Sequence, residues 1–311
     1  MARDRTPTRR RGRLPAASAA ALAQGGTALA LGGTALAEAP ASAASRPKGH
    51  DVSSHQKVVD RRSARTKGTR FGYVKATEST TYRNPCFDRQ YHDSRTAGLV
   101  RGAYHFALPD RSPGRAQAAH FVCNGGGWTA DGWTLPPALG IENNPYDRKC
   151  RCHGPSKAGM ASWIASFSDE TERLTGRRPV IYTTTHRRNT CTGGSRAFAA
   201  GHALWIARHD AAGPGTPPAG WSSWTFWQHD NADGALPGDQ NVFDGSLDGL
   251  KRFARGAWSR GRGAAVPGRN EDPPLRSPPR PSQFIFRSLR LPTFVWPMTS
   301  NDCLGKWKAS R

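Results

Sequence analysis

Acidic side chains are scarce in this chain: 23 Asp and Glu stand against 45 Lys and Arg in 311 residues, a net charge of +22. The excess is spread out, +5 over residues 1–46, +10 over 47–258 and +7 over 259–311. Such a surface suits an anionic polymer or an anionic membrane. No basic stretch of the central region is interleaved with aromatics as a base-stacking platform requires, so no nucleic-acid partner is expected. There is no Gly-x-Ser-x-Gly elbow, and Gly125-Gly126-Gly127 lacks the Lys and Ser or Thr of a phosphate loop, which sets aside hydrolase triads and nucleotide binding. Cys150-Arg151-Cys152-His153 has the elements of a metal site but no second ligand pair at regular spacing. No metal and no organic cofactor are expected. The one long uncharged run, residues 14–37, is diluted by Gly and Ala, which argues against a permanent transmembrane helix and stable membrane insertion.

What is present divides into three parts. Residues 1–46 open with Arg3, Arg5, Arg9, Arg10, Arg11 and Arg13, pass through the uncharged run and reach small residues at 41–44. That is the layout of a signal peptide and leader, with adjacent arginines that match a twin-arginine signal in part. Six cysteines fit an exported protein in which some pair and others do not. With 36% hydrophobic residues, one domain of about 200–250 residues is expected between poorly folding flanks. We place it at 47–258. Residues 259–311 are rich in Arg and Pro and are expected to be disordered and dispensable for the fold. The more apolar stretch 284–296 has no period that marks a repeat.

Within 47–258, strand-like and helix-like segments alternate. Strands are read at residues 50–54, 71–76, 99–106, 179–184, 203–207 and 224–228. Helices are read at 87–97, 116–122, 247–253 and, most clearly, 156–175, where Met160, Trp163, Ile164, Phe167, Thr171 and Leu174 recur at spacings of three and four before Gly176. This order predicts an α/β fold, a TIM-like barrel of parallel strands in a single domain, with active groups at the C-terminal strand ends. Asp51 and Glu142 both fall at such ends.

Glu142 closes the stretch Leu-Pro-Pro-Ala-Leu-Gly-Ile-Glu-Asn-Asn-Pro, residues 135–145. Side chains two apart on a strand share a face and lie roughly 7 Å apart, so positions 140 and 142 address one cleft. Glycoside hydrolysis wants two carboxyl groups so placed, one to protonate the leaving oxygen and one to stabilise or attack the cationic centre. Position 140 is glycine.

Five segments together resemble the family-25 glycoside hydrolases, secreted lysozymes that act as N-acetylmuramidases. They are Asp51-Val52-Ser53, Tyr73-Val74-Lys75-Ala76-Thr77-Glu78, Arg101-Gly102-Ala103-Tyr104-His105-Phe106, the strand carrying Glu142, and Phe226-Trp227-Gln228 followed by Asp239-Gln240-Asn241-Val242-Phe243. The resemblance implies an irregular barrel that cleaves peptidoglycan between N-acetylmuramic acid and N-acetylglucosamine outside the cell, as a monomer. It implies Glu142 as the general acid and Asp51 and Asp239 as the other acids of the groove. Tyr73, Tyr104, Trp205 and Trp227 match residues expected near sugar rings. Cys150 and Cys191 coincide with paired cysteines of some members, and their pairing is expected. The family's strand motif is Asp-x-Glu, and Gly140 departs from it; His55 is a smaller departure where an aromatic residue is common. Loss of the acid at 140 predicts slower turnover, a lower Glu142 pKa than in an intact pair, and the alternative of a peptidoglycan-binding protein with impaired catalysis.

Overall fold

The computed structural model describes residues 45–209, 212–231 and 234–257. The signal peptide, the Pro/Arg-rich tail with its 284–296 stretch, and Cys303 lie outside them. Among the described residues no helix is long and apolar enough to cross a membrane.

Among the described residues eight strands close into a barrel. In chain order they are β1 (Lys48–Val52), β2 (Thr69–Glu78), then, past a short edge strand β3 (Tyr82–Arg83), β4 (Val100–Phe106), β5 (Ala138–Gly140), β6 (Val180–Thr183), β7 (Leu204–Ala207), β8 (Phe226–Asp230) and β9 (Asp239–Phe243). The sheet runs β1-β9-β8-β7-β6-β5-β4-β2 and closes through β1–β2, while β3 pairs only with the end of β2. Pairings from β1 through β2 and β4 to β8 are parallel. The wholly parallel barrel expected from the alternation is corrected at β9, which runs antiparallel to both neighbours. Only residues 231–238 join β8 to β9, too few for the dozen or more that a parallel crossover needs. The reversal matters because it brings the first residue of β9, Asp239, opposite Asp51 at the last turn of β1.

Among the described residues six α-helices flank the barrel: α1 (Arg61–Thr66), α2 (Phe87–Thr96), α3 (Gly114–Cys123), α4 (Lys157–Thr175), α5 (Thr185–Thr192) and α6 (Leu247–Ala254). The clearest sequence stripe became α4. Ser156 caps it through a bond from Gly159 N at 3.1 Å, and Gly176 ends it in the left-handed region at φ 75°. Its buried Met160, Trp163, Ile164 and Phe167 lie against α3, whose first residue must be glycine: a Cβ on Gly114 would stand 2.4 Å from the Trp163 carbonyl.

Two apolar layers result. Inside the barrel, Phe71 and Tyr73 of β2 meet Trp205 of β7 and Phe226 of β8, and α6 adds Leu250 and Phe253. Outside it, Val74, Leu139, Ile181 and Ile206, on the alternate strand positions, pack under α3 and α4.

The disulfide expected between Cys150 and Cys191 is corrected: Cys191 of α5 pairs with Cys152, with Cα atoms 5.5 Å apart, and Cys150 is a half-buried free thiol. A tight turn decides it, in which His153 N donates to Cys150 O at 2.9 Å. His153 is buried, and it carries its neighbour Cys152 inward to α5. Cys86 is also free, and Cys123 is disulfide-bonded.

Candidate active site

Parallel strands ending at one rim, plus the reversed β9, gather side chains that are far apart in sequence. Asp51 (β1), Tyr104 (β4), Gly140 (β5), Trp205 (β7), Gln228 (β8) and Asp239 (β9) line one cleft with Glu142. Glu142 stands two residues beyond β5, and its backbone is fixed from both sides. Ile141 N donates to Tyr182 O at 2.9 Å, and Thr183 Oγ1 donates to Ile141 O at 2.9 Å. The Glu142 carbonyl accepts from Arg187 Nε at 2.8 Å and, where His153 carries its proton on Nε2, from that nitrogen at 3.2 Å.

Positions 140 and 142 do share a face. A Cβ built on Gly140 would lie 2.9 Å from Glu142 Oε1 and 3.2 Å from the His105 carbonyl. The Glu142 carboxyl group therefore occupies the room that a side chain at 140 would need. Its pKa is pushed up to about 7, first by burial, with the Asp239 and Glu78 charges adding to the rise and Lys75 and Arg187 opposing it. The missing neighbour had suggested a weaker upward pressure on this group. Burial supplies the larger part of that pressure itself, so Glu142 is half protonated near neutral pH.

On the opposite wall, Asp51 is buried, and its Oδ2 accepts from Gln228 Nε2 at 2.9 Å and Asn241 Nδ2 at 2.7 Å. Gln228 Nε2 also donates to Asp239 Oδ2 at 3.0 Å, so one amide bridges the two acids. The amide is held in turn: its Oε1 accepts from Tyr182 OH at 2.7 Å and, with Nε2 protonated, from His209 at 2.9 Å. Asn241 is oriented by Trp205, whose Nε1 donates to its Oδ1 at 2.7 Å. Burial, then the Asp239 charge, push Asp51 up to about 8, against the pull of the Gln228 and Asn241 bonds. The two acids thus hold a proton more readily than free carboxylates do.

Not every aromatic residue expected near a sugar reaches the cleft. Tyr104 lines it, and Trp205 forms part of its floor with only 2% exposure. Tyr73 is corrected to a core residue: it is fully buried, stacks on Trp205 at 4.7 Å between ring centroids, and donates its hydroxyl to Pro136 O at 3.0 Å. Trp227 is half-buried and lies outside the cleft. Phe226 and Gln228 point into the barrel, so Trp227 between them points out, packing beside Trp224 and His229. His55, exposed on the turn after β1, lines the cleft.

Sequence reasoning did not single out Gln228, Asn241, Tyr182 or Lys75. A signal existed for one of them: Asn241 is two residues from Asp239 and so shares its face. Among the described residues no group of three or more His, Cys, Asp or Glu is placed to hold a metal ion. Of the Cys150–His153 cluster, Cys152 is spent in the disulfide and His153 is engaged by Asp110 at 2.9 Å.

Residues 50–239, which run from the strand of Asp51 to Asp239 itself, match the family model described as glycosyl hydrolases family 25. The chain belongs to this family. It is 43% identical over 211 residues to an N,O-diacetylmuramidase of Chalaropsis sp, covering 67% of this chain and 99% of that one. It is also 43% identical over 211 residues to lysozyme M1 of Streptomyces globisporus, covering 66% and 70%. A solved bacterial lysozyme from Streptomyces coelicolor superposes with a TM-score of 0.65 at 41% identity, over 68% of this chain and 98% of that one. The chain is thus a family-25 glycoside hydrolase, with Gly140 as its departure inside the cleft.

Proposed function

We propose that this family-25 chain is a secreted muramidase that hydrolyses peptidoglycan between N-acetylmuramic acid and N-acetylglucosamine, with Glu142 as the acid. The observation that carries the reading is one cleft at the barrel rim that gathers Glu142, two residues beyond β5, with Asp51 and Asp239, and burial raises the Glu142 pKa. In this mechanism the protonated Glu142 gives its proton to the glycosidic oxygen as the C1–O bond breaks. The Gln228 amide, bonded to both Asp51 and Asp239, holds Asp239 in place on the far wall, where its charge faces the developing cation. The names of the relatives, muramidase and lysozyme, support the same substrate.

Gly140 favours a second reading, a groove that holds glycan strands but cuts them slowly. Removing one preorganised charged group commonly lowers a rate by a factor of about 10² to 10³, or about 3 to 4 kcal/mol. Two measurements on purified peptidoglycan separate the readings, the loss of turbidity and co-sedimentation of the protein. The muramidase reading expects slow clearing that Glu142→Gln abolishes while sedimentation persists. Sedimentation without clearing leaves a binding protein, and the absence of both overturns each reading.

A further inference from the structure

Beside the catalytic cleft lies a second chamber of about 630 Å³, and the two share Ser53, His55 and Lys75 as a common wall. Tyr146, from the loop that follows Glu142, lines one side of the chamber. Its ring is exposed and its hydroxyl donates to Glu78 Oε1. The other oxygen of Glu78 accepts from Lys75 Nζ at 2.5 Å, and Lys75 is held against the faces of Tyr82 and Phe106 at 5.4 and 4.7 Å. Glu78, Lys75 and the Tyr82 ring are therefore committed to one another.

What the chamber still offers is the guanidinium of Arg111. Its side chain is 58% exposed, and its nearest carboxylate, Asp110, stands at 3.4 Å while also engaging His153 at 2.9 Å. Sugar rings are recognised through aromatic faces; Lys75 covers one face of Tyr82, and the exposed Tyr146 ring is tied through its hydroxyl to Glu78. A cation among the hydroxyls of Ser54, Thr80 and Thr81 instead suits a polar chain with carboxylates, which arginine pairs in a fork.

We propose that this chamber receives the peptide branch that peptidoglycan carries on its muramic acid, and that Arg111 pairs with a carboxylate of that branch. The inference rests on the muramidase reading above and adds a specificity residue to it. A branch leaving a strand bound in the cleft meets the shared wall at Lys75 and passes into the chamber, with the Tyr146–Glu78 bond as its outer side.

The test compares soluble glycan strands with their peptides intact against the same strands stripped by an amidase. Dissociation constants are measured in the Glu142→Gln background, so that strands are not cut. Intact strands should bind about tenfold tighter than stripped ones, and Arg111→Ala should remove about five- to tenfold from intact strands and less than about twofold from stripped ones. Arg89→Ala, an exposed arginine of α2, controls for general charge and should change neither. Equal weakening on both strand types would mean that the chamber holds sugars, and would overturn the proposal, as would no effect on either. Binding of neither strand type by the parent protein would sink the muramidase reading itself. Preference for intact strands that is indifferent to Arg111 would leave that reading standing and remove only this inference.

Discussion

Replacing Gly140 by aspartate probes the cleft where it departs from its family, and the structure gives the terms of the outcome. Gly140 does not use the left-handed region, so an L-residue can take its backbone conformation. Its Cβ would come within 2.9 Å of Glu142 Oε1, the end of a flexible side chain, and 3.2 Å of the His105 carbonyl. The Glu142 carboxyl group must swing out of that space, and the carbonyl must give by a few tenths of an ångström. Two carboxylates about 4 Å apart at an effective dielectric near 20 repel by about 4 kcal/mol, enough to keep one of them protonated at neutral pH. Glu142, already raised to about 7, should rise further and stay the acid, while the introduced aspartate carries the charge. The clearing rate should then increase by about 10² to 10³. Its alkaline limb should move upward from about pH 7. Gly140→Ala supplies the control, since it displaces Glu142 without adding charge and should not accelerate clearing. If alanine accelerates as much as aspartate, the gain comes from moving Glu142. If the native protein is already as fast as Gly140→Asp, the Asp239 charge suffices without an acid at 140, and Gly140 does not limit the rate.

Stability should peak near pH 6.5, by the following balance of protons. Burial raises Asp51 to about 8 and Glu142 to about 7, so the folded chain keeps protons that the unfolded chain releases; this contribution is full at low pH and is lost as pH rises toward 8. Burial lowers His50 and His105 to about 3 and His202 to about 4, so the folded chain refuses protons that the unfolded chain takes up; that contribution is lost as pH falls below about 6.5. Each such group is worth about 1.4 kcal/mol per pH unit inside its window, and Tm measured from about pH 4 to 9 should fall on both sides. A Tm that climbs steadily through pH 8 would contradict the protonated state of Asp51. Cys152→Ser should cost about 4 kcal/mol in the chain-entropy model for a bridge spanning 39 residues, whereas Cys150→Ser should leave Tm nearly unchanged. Equal losses from the two variants would show that the pairing is shared between them.

The local pattern of the chain carried much of this site. A strand period of two put positions 140 and 142 on one face, and an apolar run ending in a carboxylate put Glu142 at a rim. Spacings of three and four marked α4, and the five segments of family resemblance marked Asp51 and Asp239. The same period could not say which face of a strand looks inward. In this barrel the inner and outer faces are both covered by apolar residues, so polarity does not alternate where it would be needed. Tyr73 and Trp227 were therefore indistinguishable from Tyr104 until the barrel closed. The direction of β9 was decided by a short connection, and that reversal alone set Asp239 opposite Asp51 with Gln228 between them. Cys152 won over Cys150 because a buried histidine turned the loop, a matter of packing that spacing does not record. The pKa values of Glu142 and Asp51 belong wholly to the tertiary structure, since desolvation comes from residues that only the fold brings around them.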